Sequence, residues 1–132
     1  MTTLNGGFQV TGWSEEAYDE RDGRRLTRAS VTQRFEGDVA GDGAAQWLMA
    51  YQPDGTARFV GLQLVDGALA GRRGTFVLET AGQFDGQRAR WEATVVAGSS
   101  TGELADLTGT GRFEAPHGSE ASYELEVELS EA

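Results

Sequence analysis

Five side chains could serve a reaction or hold a small molecule: Tyr51, Tyr123, Gln33, Gln63 and the only histidine, His117. A phenol donates to a carbonyl while staying neutral at ordinary pH, and a carboxamide offers donors and an acceptor together. Histidine titrates near neutrality, but His117 lies in the turn signal Pro116-His117-Gly118. It is either an exposed turn residue or a group at a pocket mouth, oriented by Glu114 or Glu120. One imidazole cannot supply a His-carboxylate metal site. The carboxylates Glu15, Glu16, Asp19, Glu20 and Asp22 lack the one-three-five spacing of a calcium loop and read as a solvated face. No metal and no cofactor are expected. Nor is a Ser-His-Asp arrangement, with the lone His at a turn.

The elements that position these groups centre on residues 41–65. Pro53-Asp54-Gly55 is an x-P-D-G-x turn, so Gln52 pairs with Thr56. Counting back sets Met49 opposite Phe59, Trp47 opposite Gly61 and Ala45 opposite Gln63. One face carries Trp47, Met49, Tyr51, Phe59 and Gln63, and the other Leu48, Ala50, Val60, Leu62 and Leu64. Both are apolar, so the hairpin is covered on both sides or lines a cavity.

The remaining strands follow from alternation and turn chemistry. Residues 6–13 read as a first strand and 14–25 as a charged surface connection ending in Asp22-Gly23. Residues 26–40 form a long second strand, joined to the hairpin through Gly41-Asp42-Gly43. A three-residue turn there gathers Val31, Gln33 and Phe35 with Met49 and Tyr51 and sets Gly37 opposite Trp47. The register between Val65 and Thr75 cannot be counted. Asp85-Gly86 joins 75–84 to 87–97 as a two-residue turn, placing Thr80 opposite Trp91, Leu78 opposite Ala93 and Phe76 opposite Val95. Glu79 would then face Glu92 directly, on a solvent face with Arg90 beside them. A surface ion-pair cluster is the plainer reading of that pair than acid-base chemistry. Residues 98–109 hold one short helical turn at most. In the final hairpin Gly111 pairs with Tyr123 and Phe113 with Ala121, with Tyr123, Leu125, Val127 and Leu129 inward.

About eight strands joined by tight turns, with 19 Gly and only 2 Pro, indicate an all-β single domain spanning residues 1–132. Its economical form is an eight-stranded antiparallel β-barrel of the lipocalin-like size that encloses one small ligand. The expected interior is Gln33, Tyr51, Gln63, Thr80 and Tyr123 among Phe35, Trp47, Met49, Phe59, Phe76, Leu78 and Trp91. It has no carboxylate, Lys or His, so a tuned acid-base pair is hard to build there. The chain has no Cys and no Lys and a net charge of −10, which argues against nucleic-acid and anionic-membrane partners. No apolar run reaches the length of a membrane span, and a cytoplasmic location is the expectation.

The strings Leu26-Thr27-Arg28-Ala29-Ser30-Val31-Thr32-Gln33, Leu48-Met49-Ala50-Tyr51, Asp54-Gly55-Thr56, Phe59-Val60-Gly61-Leu62, Gly74-Thr75-Phe76-Val77-Leu78 and Ala115-Pro116-His117-Gly118 resemble the bacterial family catalogued as domain of unknown function 3224. The resemblance runs from Gly7 to about Leu129. That family is similar to the allene oxide cyclases, which implies an eight-stranded barrel with an apolar lumen. It also implies, as one function, a cofactor-independent cyclase or isomerase that folds a flexible substrate. Many members carry Gln-His where this chain has Glu79-Thr80, so imidazole chemistry at that position is not carried over. Three readings stay open: a binder of a small apolar molecule, a cyclase or isomerase with Tyr51 and Tyr123 as donors, and a structural barrel. In all three the outer aliphatic patch implies a homo-oligomer.

Overall fold

The computed structural model describes residues 1–116 and 120–129. Eight antiparallel strands follow one another around a closed barrel: β1 (Thr2–Arg21), β2 (Arg24–Gly37), β3 (Val39–Tyr51), β4 (Ala57–Leu69), β5 (Arg72–Phe84), β6 (Arg88–Val95), β7 (Thr108–Pro116) and β8 (Ala121–Glu128). The seam is made by β1 against β8, from Thr2↔Val127 to Phe8↔Ala121. Among the described residues no helix is long and apolar enough to cross a membrane.

The β3–β4 hairpin is paired as its turn chemistry dictates. Met49 faces Phe59, Trp47 faces Gly61 and Ala45 faces Gln63, and Gln52 N–H donates to the Thr56 carbonyl at 2.8 Å. Gly61 makes room for the indole, because a Cβ there would run into the Gln46 carbonyl and approach Trp47 Cδ1 to 2.7 Å. The inward face is buried, whereas Leu48, Val60, Leu62 and Leu64 stand about half exposed outside.

Three expected registers are corrected, each by an even number of residues, so every side chain keeps its face. The β2–β3 turn is Gly37-Asp38 rather than Gly41-Asp42-Gly43, and Phe35 pairs with Gly41, not Met49. Ala29, completely buried, takes the place opposite Trp47 that was expected for Gly37. Gly41 and Gly43 lie inside β3. Gly43 leaves space for Phe35 and Gln33, which would stand 2.5 and 2.8 Å from a Cβ there. The turn forms at Gly37, whose φ of +98° suits glycine.

Across β5–β6, Phe84 pairs with Ala89, Gly82 with Trp91 and Thr80 with Ala93, two residues from the expected register. The Asp85 carboxylate accepts from the backbone N–H groups of both Gln87 and Arg88 at 2.9 Å, which opens the Asp85-Gly86 signal into a wider loop. Glu79 therefore faces Thr94 and Glu92 faces Ala81, so the two carboxylates are not directly opposed. Arg90 lies 3.9 Å from Glu114. Likewise Phe113 pairs with Tyr123 and Gly111 with Leu125. His117 and Gly118 of its turn lie outside the described residues.

Residues 14–21 are not a surface connection: they continue β1 against β2 as far as Arg21↔Arg24. Register shifts at Val10/Gly12 and Ala17/Asp19 interrupt the alternation along the way. A single 3-10 turn, Gly102–Leu104, follows β6. It sends Leu104 into the core, with Leu107 close behind, at the barrel end opposite Tyr51. That end is closed; the end at Tyr51 is the mouth.

Candidate functional site

Seven aromatic rings fill the middle of the barrel in continuous contact. Trp91 is stacked on Phe113 (5.1 Å between centroids, 3° between planes) and meets Trp47 edge-on at 5.0 Å. Phe8 reaches Phe35, Trp91 and Phe113, and Phe35 meets Tyr123. The polar groups expected to face a ligand are instead bonded to the fold. Trp47 Nε1 donates to Thr80 Oγ1 at 2.9 Å, and that hydroxyl donates to the Gly61 carbonyl at 3.0 Å. Gln63 donates through Nε2 to Gln33 Oε1 at 2.8 Å and accepts from Trp91 Nε1 at 3.3 Å. The Tyr123 hydroxyl accepts from Val39 N–H at 2.8 Å and lies 2.7 Å from the Glu36 carbonyl, to which it donates. It ties β8 to the β2–β3 turn and is not part of the cup at the barrel mouth.

Above this packed layer the mouth is hollow. A cup of about 330 Å³ is walled by Trp47, Met49, Phe59 and Trp91 below and by Val10, Trp13, Tyr51, Phe84, Gln87, Ala89, Ala115 and Pro116 around the rim. Of the expected ligand-facing residues, Trp47, Met49, Tyr51, Phe59 and Trp91 share it. Gln33, Phe35, Gln63, Phe76, Leu78, Thr80 and Tyr123 are buried beneath or beside it. Trp13 joins the wall through the first β1 bulge, which turns the indole toward Trp47 (6.3 Å).

The rim carries a polar cluster that the alternation pattern concealed. Glu15 accepts from Trp13 Nε1 at 3.0 Å through one oxygen and from Thr27 Oγ1 at 2.6 Å through the other. Burial alone would raise its pKa. The hydrogen bonds from Thr27, Trp13 and Tyr51, together with the charge of Arg25, outweigh burial and hold it below the usual carboxylate range. Glu15 thus gathers side chains of three strands around an ionised carboxylate. The guanidinium of Arg25 lies 5.0 Å over the Tyr51 ring.

The Tyr51 hydroxyl points toward Met49 Sδ at 3.8 Å and also interacts with Glu15, the stronger acceptor because it is charged. Burial, then Glu15, push the Tyr51 phenol up from 10.0 to about 12. At neutral pH Tyr51 is therefore a neutral donor in the cup wall. The raised value means that the fold favours the protonated form. Its contribution to stability is complete below pH 10 and is lost as pH rises from 10 toward 12. In a tyrosinate absorbance titration, Tyr51→Phe is expected to remove a phase near pH 12. The variant should also lose less stability than the parent over that interval.

The comparisons with known proteins agree with this architecture. A crystal structure of a protein of unknown function from the DUF3224 family of Shewanella oneidensis MR-1 is similar over 98% of each chain, with 30% identity and a TM-score of 0.84. A comparison with curated proteins gives no match. The family model described as "Protein of unknown function (DUF3224)" matches residues 4–127. With its closed eight-stranded barrel and a matched span that takes in nearly every strand, the chain belongs to the DUF3224 family.

Proposed function

We propose that the protein binds a small, largely apolar organic molecule end-on in the mouth of the barrel. Its apolar part rests on Trp47, Phe59 and Trp91, and a carbonyl or hydroxyl at its polar end meets Tyr51 and Gln87. The observation that carries this reading is the cup: about 330 Å³, walled mainly by aromatic and aliphatic side chains, with few polar groups at the rim. Small-molecule sites have this size and composition, about 300 Å³ or more. The deeper lumen is occupied by its own side chains, so the ligand is a short one held at the end of the barrel.

Methyl ketones of increasing chain length are suitable probes, followed by the fluorescence of the tryptophans that line the cup. Saturable changes are expected, with affinity rising with chain length until the cup is full. Ala89→Trp, which fills the rim, should abolish them in a protein that remains folded. If no ketone gives a saturable change with the unaltered protein, or if Ala89→Trp binds as well, the reading fails.

A second reading is turnover in the same cup, a cofactor-independent cyclisation or isomerisation. The observation favouring it is the protonated Tyr51 phenol in the wall, suited to hydrogen-bonding a carbonyl as charge develops there. Holding a flexible substrate in a reactive shape contributes up to about 7–11 kcal/mol in the best intramolecular cases. Tyr51→Phe separates the two readings: turnover is lost under the second, whereas under the first only affinity falls. Tyr123, expected as a second donor, is committed to the Glu36 carbonyl and has no part in either.

A further inference from the structure

The outer wall at β3–β5 is unlike the rest of the surface. Along β4 the outward residues run Arg58, Val60, Leu62, Leu64, Asp66, with the three aliphatics 54%, 52% and 44% exposed. Pairing places Leu48 and Ala81 on either side of Val60, and Ala44 and Val77 on either side of Leu64. Leu62, between them, is flanked by Gln46 and Glu79, so the apolar stripe runs along β4 with polar neighbours at its midpoint, on a chain of net charge −10. The two ends of the stripe carry opposite charges. Arg58 and Asp66 are exposed, and neither has an ion-pair partner among the described residues.

We propose that a second copy of this chain packs on this wall, its β4 antiparallel to the first across a two-fold axis at Leu62. The β4 stripe is self-complementary about that residue. Arg58 stands four positions before Leu62 and Asp66 four positions after it, so the axis sets Arg58 of each copy over Asp66 of the other. Val60 then faces Leu64, and Leu62 faces itself. An axis along the strands would instead oppose Arg58 to Arg58 and Asp66 to Asp66, which like-charge repulsion disfavours. A partner of unrelated sequence has no reason to match a stripe whose ends are each other's complement, whereas a two-fold copy matches it by construction. Face-to-face sheets pack close to aligned, as this arrangement requires. Glu79, directly beside Leu62 on β5, meets its own counterpart next to the axis, one like-charge contact where the alternative axis makes two.

The test is sedimentation velocity with light scattering over a range of protein concentrations. A dimer is expected for the unaltered chain. Leu62→Arg, at an exposed position, should give a monomer with an unchanged circular dichroism spectrum. Arg58→Asp and Asp66→Arg each affect both charge pairs of the dimer and should each weaken it at least about tenfold. The double exchange Arg58→Asp with Asp66→Arg should restore it, and Glu79→Gln should tighten it. A monomer at every concentration would overturn the proposal. So would a dimer indifferent to Leu62→Arg, or single charge reversals that the double exchange does not rescue.

Discussion

Trp91→Ala is expected to be among the most damaging single substitutions in the barrel, lowering unfolding free energy by about 3–5 kcal/mol. The indole is 3% exposed, lies flat on Phe113 and touches Phe8, Trp47 and Phe59. Alanine leaves a void among rings that come from four different strands and cannot all close in on it. It also strips Gln63 Oε1 of its indole donor. On a total stability of about 5–15 kcal/mol the loss is a large fraction. Urea unfolding measures it directly. A change below about 1 kcal/mol would mean that the ring stack is not the packed centre described above. Because Trp91 is also part of the cup, the variant should accept longer ketones than the parent wherever it stays folded.

Gln63→Leu is expected to cost about 2–4 kcal/mol although it replaces a polar core residue with an apolar one of similar size. The side chain is fully buried and serves two neighbours, donating to Gln33 Oε1 and accepting from Trp91 Nε1. Leucine leaves both without partners, and each buried orphan costs about 1–3 kcal/mol. Gln33 Nε2 already has no partner among the described residues, so Gln63→Leu leaves the whole Gln33 amide unsatisfied. Adding Gln33→Leu removes that burden, and the double variant should be more stable than the sum of the singles requires. Strictly additive losses in denaturant unfolding would show that the two amides do not act as a unit.

Where local chemistry determined the structure, it could be read residue by residue. The Pro53-Asp54-Gly55 turn sets a register that carries through to Trp47 and Gly61, and with it both faces of the organising hairpin. The inward identities of Gln33, Thr80 and Tyr123 were equally legible, because an even slip does not change a face. What escaped was decided at a distance or by a side chain in an unexpected role. The β2–β3 turn is fixed at Gly37-Asp38 with help from Tyr123, whose hydroxyl binds Val39 and Glu36 from the far end of the chain. Asp85 widened a turn by capping two N–H groups. Glu15 looked like a member of a charged connection and Trp13 like the end of a first strand, because two bulges break the alternation that would have marked how both turn toward the mouth. The site was therefore half visible. Its walls follow from hairpin arithmetic, whereas its rim depends on irregularities with no compositional signature.

The β1–β8 seam also bears on how the chain comes to be assembled. Seven of the eight strand pairings join neighbours in sequence and can form in order as the polypeptide lengthens, whereas the eighth joins the first strand to the last. A chain that has paired β1 to β7 but not β8 is a curled ribbon with two bare edges and lacks the ring of Tyr123. Residues 121–128 end that state at a stroke, pairing with Thr2–Phe8 and delivering Tyr123 to the β2–β3 turn. Closure is thus a late event of high contact order. The interval before it is when the molecule is most exposed to adding a strand from a neighbour instead of its own.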